Sequence, residues 1–399
     1  MIFSNKKIFY FFIIITPSFI LNYFTLTIID HDNNLSNFST IIIFIFNMLN
    51  IIIGFIYYKY SFKVLIFFSI YCLIIFLFFD LISEKLFNKN SIIKESDSLG
   101  WVLSSNKQLS LKQQTLNGQK YLVNYKSSNI EGFREFGNLN STKKKILVIG
   151  DSYTGGPYSS NDKMYYSIVK NNLLERDFDY EWFVMGAGGY GTAQQVIMLS
   201  EYFNKIKPDV ILHQFCVNDF FDNSLEISKL STSHNQYYRR PYIINDKTIK
   251  VETIFSHIYR FLFKYSFIFK KFDQIIMYKE FREHGRFKAE ISDKLISDSV
   301  TITKKLINKM RKIIGEKTLF FSTNCADDKN NKLSEYWVEM IENISGYPIA
   351  TASDTVLNMK KNGEDVMHED GGHLNDYGNM IYGKMISEEM IMRLENVKN

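Results

Sequence analysis

Two segments of the chain carry residue types that could perform acyl transfer at an ester. Ser152 stands in a turn after the apolar run 146–149, where its hydroxyl could attack a carbonyl carbon as a nucleophile. Gly189 lies in the glycine-rich loop 186–191, where its backbone N–H could donate to the developing oxyanion. The backbone N–H of Ser152 is a second candidate donor. Acyl transfer also needs a base and a carboxylate that orients this base, so the downstream sequence decides the assignment.

A candidate base and its carboxylate lie near the C-terminus, in a loop before the last predicted helix. Asp370 and His373 are three residues apart, so the carboxylate could reach imidazole Nδ1 and leave Nε2 for Ser152. A metal site or an ordinary surface loop would use the same residue types. Asp365 and His368 have the same spacing as this pair. The position directly before the terminal helix favours His373 over His368.

Asn218 is a further candidate donor, because an amide side chain carries two N–H groups on a short stem. It follows the predicted strand 208–215, although Asn-Asp after a strand is often only a turn. The loop 186–191 also allows other interpretations. It could bind a phosphate, but it lacks the Gly-Lys-Ser/Thr ending of a phosphate loop and the spacing of a dinucleotide fingerprint. A glycine-rich turn without a ligand is the third interpretation.

Taken in chain order, these segments resemble the four sequence blocks of the SGNH/GDSL hydrolase superfamily. In that family the blocks are Gly-Asp-Ser, a glycine, Gly-x-Asn-Asp and Asp-x-x-His. The resemblance covers about residues 130–396 and implies a flavodoxin-like α/β fold. The matching segments here are Gly150-Asp151-Ser152, Gly189, Cys216-Val217-Asn218-Asp219 and Asp370-Gly371-Gly372-His373.

The resemblance also implies a role for each candidate residue. The chain departs from the family at Cys216, which occupies the glycine position of the third block. This cysteine has no evident base of its own, so we do not expect it to act as the nucleophile. The implied roles are nucleophile for Ser152, oxyanion-hole donors for Ser152, Gly189 and Asn218, orienting carboxylate for Asp370, and base for His373.

Strand and helix patterns alternate from residue 144 onward. Such alternation predicts βαβ units, in which right-handed crossovers cover both faces of a parallel sheet. We therefore predict an α/β protein with a three-layer, doubly wound parallel sheet. Ligands bind at the carboxyl ends of the strands in these sheets, where the candidate residues lie. The predicted strands are 145–149, 181–186, 208–215, 317–323 and 347–351, and the predicted helices are 161–176, 192–206, 293–315, 332–344 and 376–396.

Three apolar runs precede this region, at residues 8–29, 38–58 and 64–83. Each has close to the ~20 residues that a helix needs to cross a bilayer, so three transmembrane helices are predicted. The positions of the lysines near these runs predict a cytoplasmic N-terminus and an extracytoplasmic chain after about residue 84. A cleaved signal peptide is the alternative for the first run, but no small-residue cleavage site follows it. Buried helices of a soluble fold are the alternative for all three.

We expect three parts along the chain. Residues 1–83 would form the membrane domain, 84–143 a linker with an irregular subdomain, and 144–399 the hydrolase-like domain. An insertion at about 222–292 interrupts the alternation of strands and helices. Its aromatic and basic run 254–272 could lie on the membrane surface, cover the site as a lid or pack on the sheet.

The composition excludes several classes of partner and cofactor. The net charge of the 399 residues is +5, and lysines and acids are interspersed, so no nucleic-acid partner is expected. Three cysteines are too few for a disulfide framework. No Cys/His cluster has the spacing of zinc ligands, so we expect neither a metal nor another cofactor.

The sequence thus predicts a membrane-anchored serine hydrolase, with its catalytic domain outside the cytoplasmic membrane of a bacterium. Its substrate would be an ester-bearing glycan or lipid, most simply an acetylated glycan of the cell envelope. An O-acyltransferase would use the same acyl-enzyme chemistry and would need an acyl-donor partner in the membrane. A lysophospholipase-type lipase and a non-catalytic envelope assembly protein are further alternatives.

Overall fold

The computed structural model describes much of the chain after residue 90 and short helical stretches before it. Two compact units are distinguished: residues 1–89 with 265–279, and residues 90–264 with 280–399. The described residues are 47–53, 70–71, 73–80, 82–83, 91–232, 236–244, 247–325, 332–345 and 353–398.

Strands and helices alternate through most of the second unit. The strands are β1 (Ile93–Ser96), β2 (Gly100–Leu103), β3 (Gln108–Gln114), β4 (Lys120–Lys126), β5 (Phe133–Phe136), β6 (Lys145–Gly150), β7 (Glu181–Gly186), β8 (Val210–Phe215), β9 (Tyr242–Ile244), β10 (Lys247–Ile249) and β11 (Leu319–Asn324). The helices are α1 (Ser152–Gly155), α2 (Tyr165–Leu174), α3 (Thr192–Ile206), α4 (Asn218–Asn223), α5 (Leu225–Leu230), α6 (Ile254–Tyr265), α7 (Phe267–His284), α8 (Asp293–Ile314), α9 (Lys332–Ser345), α10 (Ser353–Lys361) and α11 (Asp376–Lys398).

A five-stranded sheet with the order β11-β8-β6-β7-β5 forms the centre of the second unit. Strand β6 pairs in parallel with β7 on one side and with β8 on the other, and β11 continues in parallel beside β8. The chain therefore leaves β6 first to one side of the sheet and later to the other. This arrangement makes the carboxyl end of β6 a topological switch point, where α/β sheets open a crevice for ligands.

The sheet separates two hydrophobic cores because alternate residues of a strand point to opposite faces. In β6, Leu147 and Ile149 join the core beneath helices α3, α8 and α9. Ile146 and Val148 of the same strand join the core beneath α2, α10 and α11. All four side chains are buried. The sheet thus has helices on both faces, as the sequence predicts for a three-layer α/β protein.

The predicted strands agree with the structure except at the edges of the sheet. Strands β6, β7, β8 and β11 lie where the sequence predicts the first four. The fifth, 347–351, lies outside the described residues. The prediction of a parallel sheet is confirmed for β6, β7, β8 and β11 and is wrong at β5, which pairs antiparallel with β7. This strand is only four residues long and includes Arg134 and Glu135, so it lacks the apolar run that marks a buried strand.

The segment predicted to be a linker with an irregular subdomain contains strands β1 to β5. Strands β3 and β4 form an antiparallel hairpin. Backbone hydrogen bonds join this hairpin to the loop before α11, from Leu116 N–H to Met367 O and from Glu369 N–H to Gln114 O. The segment therefore supports the loop that carries the predicted base.

The predicted transmembrane helices fall mostly or partly outside the described residues. The run 8–29 lies wholly outside them, while 38–58 and 64–83 are described only in part, where they are helical. Among the helices that the structure describes, none combines the length and the apolar character needed to span a bilayer. Within the first unit, Asp80 accepts hydrogen bonds from Ser266 Oγ (3.2 Å) and Ile268 N–H (2.8 Å).

Candidate active site

Ser152 is the first residue of α1, two positions after the last residue of the central strand β6. The Asp151 side chain accepts the Tyr153 N–H (2.9 Å) and so caps this short helix. A Cβ atom at Gly150 would collide with the Thr154 and Gln214 side chains, so the turn needs a glycine there. The tight turn holds the partly exposed Ser152 at the switch point of the sheet.

The predicted base and carboxylate lie beside this serine, although more than 200 residues separate them in sequence. His373 Nε2 lies 2.8 Å from Ser152 Oγ, and His373 Nδ1 lies 2.6 Å from Asp370 Oδ2. Three side chains thus form one continuous hydrogen-bonded chain. In this arrangement the imidazole can take the hydroxyl proton at Nε2 while the carboxylate fixes the proton at Nδ1.

Asp370 is held in its ionised form by its local hydrogen bonds. Its Oδ1 accepts the backbone N–H groups of Gly372 (2.9 Å) and His373 (3.0 Å). Burial by itself would raise the pKa of Asp370. The hydrogen bond and charge of His373, with the two backbone donors, outweigh burial and hold this pKa well below its ordinary value. The carboxylate therefore remains an acceptor at every pH at which the imidazole could act as a base.

The alternative pair Asp365 and His368 is not formed. Asp365 accepts hydrogen bonds from Thr115 Oγ1 and from the Asn117 N–H. His368 Nε2 lies 3.1 Å from Gln113 Oε1, and its Nδ1 lies 3.3 Å from the Asp370 backbone N–H, which it accepts. This second histidine therefore packs behind the acid of the candidate triad and does not face Ser152.

Two tyrosines that sequence reasoning missed hold the candidate base. The Tyr158 ring stacks on the His373 ring, with 3.8 Å between centroids and 11° between planes. The Tyr153 hydroxyl donates to Gly372 O at 2.6 Å. Tyr158 belongs to no motif or periodic pattern, and Tyr153 directly follows the Gly-Asp-Ser block. Only their nearness in sequence to Ser152 could have pointed to them.

Gly189 lies in the loop after β7, beside the serine loop. Its φ of +72° is a conformation that L side chains rarely adopt, so a glycine is favoured there. A Cβ atom built on the neighbouring Gly188 would lie 3.9 Å from Ser152 Cβ, which shows how closely the loop approaches the serine. Trp101 fixes this loop because its Nε1–H donates to Gly188 O at 2.9 Å.

Asn218 begins helix α4 after β8, on the other side of the serine strand. Its Nδ2 donates one hydrogen bond to Asp222 Oδ2, at 3.1 Å. An amide nitrogen carries two hydrogens, so a second N–H of Asn218 is left for a ligand. Since β7 and β8 flank β6, the loops of Ser152, Gly189 and Asn218 all meet at the same edge of the sheet.

Cys216 is bonded to Cys325 in a disulfide, which the cysteine count alone did not predict. The two cysteines follow the neighbouring strands β8 and β11, with 5.1 Å between their Cα atoms. The cysteine in the glycine position of the third block therefore ties the Asn218 loop to the adjacent strand. In this state it cannot act as a nucleophile.

A buried polar chain lies behind the Asn218 loop. Asp219 Oδ2 accepts from Thr192 Oγ1 (2.8 Å) and Gln195 Nε2 (3.1 Å), and Gln195 Oε1 lies 2.8 Å from His213 Nε2. Burial raises the pKa of the Asp219 carboxyl well above its ordinary value. Burial also lowers the pKa of His213 from 6.5 to about 3, so this imidazole is neutral in the folded protein.

We expect His213 to make the protein less stable in mild acid. Below pH 6.5 the unfolded chain protonates this histidine, whereas the folded chain does so only near pH 3. The free energy of unfolding should therefore fall by up to about 1.4 kcal/mol per pH unit as the pH drops from 6.5 towards 3. Denaturant midpoints between pH 7.5 and 5 measure this slope. His213→Gln should flatten it, and the exposed control His257→Gln should not; equal slopes in all three proteins would contradict the prediction.

Among the residues that the structure describes, no group of three or more His, Cys, Asp and Glu side chains could hold a metal ion. The metal-site interpretation of the Asp370 and His373 pair therefore gains no further ligands from that part of the chain. The hydrogen bond between His373 and Ser152 suits proton transfer instead.

Comparisons with known proteins give distant structural similarity only. No family model and no curated protein sequence matches this chain. A family 3 carbohydrate esterase from Clostridium thermocellum has a TM-score of 0.36 and 13% identity, over 65% of this chain and 100% of that one. A lipase/acylhydrolase from Enterococcus faecalis has a TM-score of 0.37 and 15% identity, over 63% and 96%. An acetyl xylan esterase has a TM-score of 0.36 and 14% identity, over 61% and 98%.

All three TM-scores lie below 0.5 and all three identities below 25%, so the neighbours do not decide what this chain does. The function is therefore inferred from the geometry around Ser152.

Proposed function

We propose that the protein is a serine hydrolase of the SGNH/GDSL type that cleaves esters through an acyl-enzyme. The observation that carries this proposal is the unbroken hydrogen-bonded chain from Ser152 through His373 to Asp370. Oxyanion-hole roles for the backbone N–H groups of Ser152 and Gly189 and for the Asn218 amide belong to the same proposal. Their loops approach the serine from the two neighbouring strands.

The reaction has two proton-balanced halves. Ser152 Oγ attacks the ester carbon while its proton passes to His373 Nε2, and the resulting oxyanion is stabilised by the N–H donors. The C–O bond to the alcohol then breaks, and the imidazolium gives its proton to the departing oxygen. In the second half, water attacks the acyl-enzyme, His373 takes a proton from the water, and Ser152 recovers that proton as the acid leaves.

We propose an extracytoplasmic catalytic domain attached to the membrane through the apolar runs before residue 84. The Cys216–Cys325 disulfide supports this location, since disulfides persist in oxidising compartments. An acetylated glycan of the cell envelope is the substrate class that we propose for a hydrolase at this place. Acyl-donor partners are not needed if water is the acceptor.

The outer face of helix α6 supports attachment to a lipid surface. Ile254, Ile258 and Phe261 recur at a spacing of four and three residues, which places them on one face of the helix. Ile254 and Ile258 are 77% and 51% exposed, and the adjacent Phe255 is 74% exposed. An apolar stripe of this kind matches the helices that lie in the interface of a bilayer.

The opposite face of α6 is fixed to the second unit. Tyr259 is buried, with its ring 5.6 Å from the Tyr238 ring, and Arg260 donates to Tyr238 O at 3.0 Å. The helix therefore turns its apolar stripe outward, together with the exposed His257 and Lys264. Of the three interpretations of the run 254–272, this arrangement favours contact with the membrane surface.

We expect a tryptophan introduced by Ile258→Trp to be quenched by brominated lipids when the full chain is placed in nanodiscs. The three native tryptophans, Trp101, Trp182 and Trp337, are all buried and give a constant background. Leu174→Trp is the matched control, because Leu174 is an exposed leucine of another helix. Equal quenching at positions 258 and 174 would mean that α6 faces water or another protein.

Hydrolysis of esters by the full chain tests the proposed activity. The protein should release acetate from a chromogenic acetyl ester and from acetylated envelope glycan, and Ser152→Ala should release none. Deleting the protein from its host should raise the O-acetyl content of the envelope glycan. A fall in this content would indicate an O-acyltransferase, and an unchanged content with activity on lysophospholipid would indicate a lipase. Activity retained in Ser152→Ala would contradict the proposal.

A further inference from the structure

We propose that Arg240, in the insertion 222–292, is a positioning residue that aligns both loops of the proposed oxyanion hole. This inference depends on the proposed hydrolase function, because it assigns a role to the partners of Asn218 and of the glycine loop. The insertion has no counterpart in the four sequence blocks. The contacts that its own residues make therefore indicate its role.

The first contact runs through Asp222 to Asn218. Arg240 Nη2 lies 3.1 Å from Asp222 Oδ1, and Asp222 Oδ2 accepts the Asn218 amide at 3.1 Å. The carboxylate thus receives a guanidinium on one oxygen and the candidate oxyanion donor on the other. Because an amide group rotates about a single bond, a fixed acceptor for one N–H also fixes the direction of the other. Arg240 holds that acceptor in place.

The second contact runs through Gln194 to the glycine loop. Arg240 Nη1 donates to Gln194 Oε1 at 3.0 Å, and the same oxygen accepts the Gly191 N–H at 3.2 Å. Gln194 Nε2 donates in turn to Leu99 O at 2.7 Å. One guanidinium therefore joins the acceptor of Asn218 to the acceptor of the loop that carries Gly189.

The surroundings of Arg240 make these contacts strong and directional. Its side chain is only 4% exposed, so its charge is shielded from water and needs fixed partners. Its guanidinium carbon lies 5.2 Å from the centre of the Trp101 ring. Trp101 also donates to Gly188 O, so the cation and the ring hold the glycine loop from the same side. The planar guanidinium can donate to two acceptors in fixed directions, whereas a lysine ammonium is a compact charge without this fixed geometry.

Arg239 provides a matched control in the same insertion. Its side chain is also buried, but it pairs with Glu95, with Nε–Oε2 and Nη2–Oε1 distances of 3.0 and 2.6 Å. Neither ion-pair contact leads to Asn218 or to Gln194. Arg239 shares the Trp101 contact with Arg240, since its guanidinium carbon lies 5.1 Å from the centre of that ring. Arg239→Lys and Arg240→Lys therefore make the same chemical change at two adjacent buried sites, and only the second lies on the proposed relay.

The test measures kcat, KM and the affinity for a boronic acid, which forms a tetrahedral adduct with an active serine, on the full chain. Arg240→Lys and Asp222→Asn should each lower kcat by about 10- to 100-fold, as supporting residues around a reactive site do. They should weaken boronate binding in parallel and change KM by less than about threefold, because the oxyanion forms only after the ground-state complex. Arg239→Lys should leave kcat and boronate affinity near the wild-type values.

A double-mutant cycle separates positioning from a general loss of structure. In an Asn218→Ala background, Asp222→Asn should lower kcat by a smaller factor than it does in the wild type, because its direct route through Asn218 is already removed and only the route through Arg240 and Gln194 remains. Multiplicative losses, or losses of equal size in Arg239→Lys and Arg240→Lys, would overturn the relay. If Asp222→Asn does not fold, the comparison of kcat and boronate affinity between Arg240→Lys and Arg239→Lys tests the relay by itself. Failure of the proposed function would be distinct, since Ser152→Ala would then retain activity.

Discussion

Replacing Ser152 by alanine is expected to lower kcat for ester hydrolysis by about 10⁶-fold, to a rate that cannot be told from background. Ser152 Oγ lies 2.8 Å from His373 Nε2, so it is the oxygen that this imidazole can deprotonate. Removing the hydroxyl leaves no covalent route. Steady-state hydrolysis of a chromogenic acetyl ester measures the effect.

The folded structure should tolerate this change. Ser152 is partly exposed, and its side chain fills no core position, so the thermal midpoint of Ser152→Ala should stay within about 2 °C of the wild type. Combining it with His373→Gln should give no larger loss than either change alone, because the two side chains act as one unit. Activity above a tenth of the wild-type value in Ser152→Ala would show that another group attacks the ester.

The second large effect is expected at His373. His373→Gln should lower kcat by a factor on the order of 10⁶, because glutamine cannot take the serine proton. His368→Gln is the control, two positions before the same acid, and it should lower kcat by about tenfold. His368 contacts Gln113 and, through Nδ1, the backbone N–H and the Oδ2 atom of Asp370, so it supports the acid without touching the serine. Similar losses in the two variants, or a larger loss in His368→Gln, would reverse the assignment of the base.

Much of the fold and site could be predicted because the signals are local. The apolar run of β6 followed by Gly-Asp-Ser marks a strand and a turn without any knowledge of the rest. The spacing of Asp370 and His373 allows the carboxylate to reach the imidazole within one loop, although the same spacing at Asp365 and His368 forms no pair. Once the strands are known to be parallel, all such turns must meet at one edge of the sheet.

The features that escaped prediction depend on contacts between distant parts of the chain. The stacking of Tyr158 on His373 joins residues that are 215 positions apart, and no pattern around the tyrosine signals it. Strand β5 is too short and too polar to stand out, and it forms because β7 offers it an edge. The Cys216–Cys325 bond follows from the pairing of β8 with β11, which the cysteine count cannot reveal.

The two arginines of the insertion show most clearly that contacts between distant residues cannot be predicted from local sequence. Arg239 and Arg240 stand next to each other and look equivalent in sequence. In the fold, one pairs with Glu95 and the other reaches Asp222 and Gln194. Both cations are shielded from water and must be met by fixed acceptors, and these acceptors differ. The packing of distant segments, and not the neighbouring sequence, determines which acceptor each arginine contacts.

Activation of Ser152 by His373 can be measured by labelling with a fluorophosphonate followed by peptide mass analysis. The wild-type protein should carry one adduct, on the peptide that contains Ser152. His373→Gln should be labelled at least about 1,000-fold more slowly, because the serine is a weak nucleophile without its base. An adduct on any other residue, or equal labelling rates in the wild type and His373→Gln, would contradict this activation.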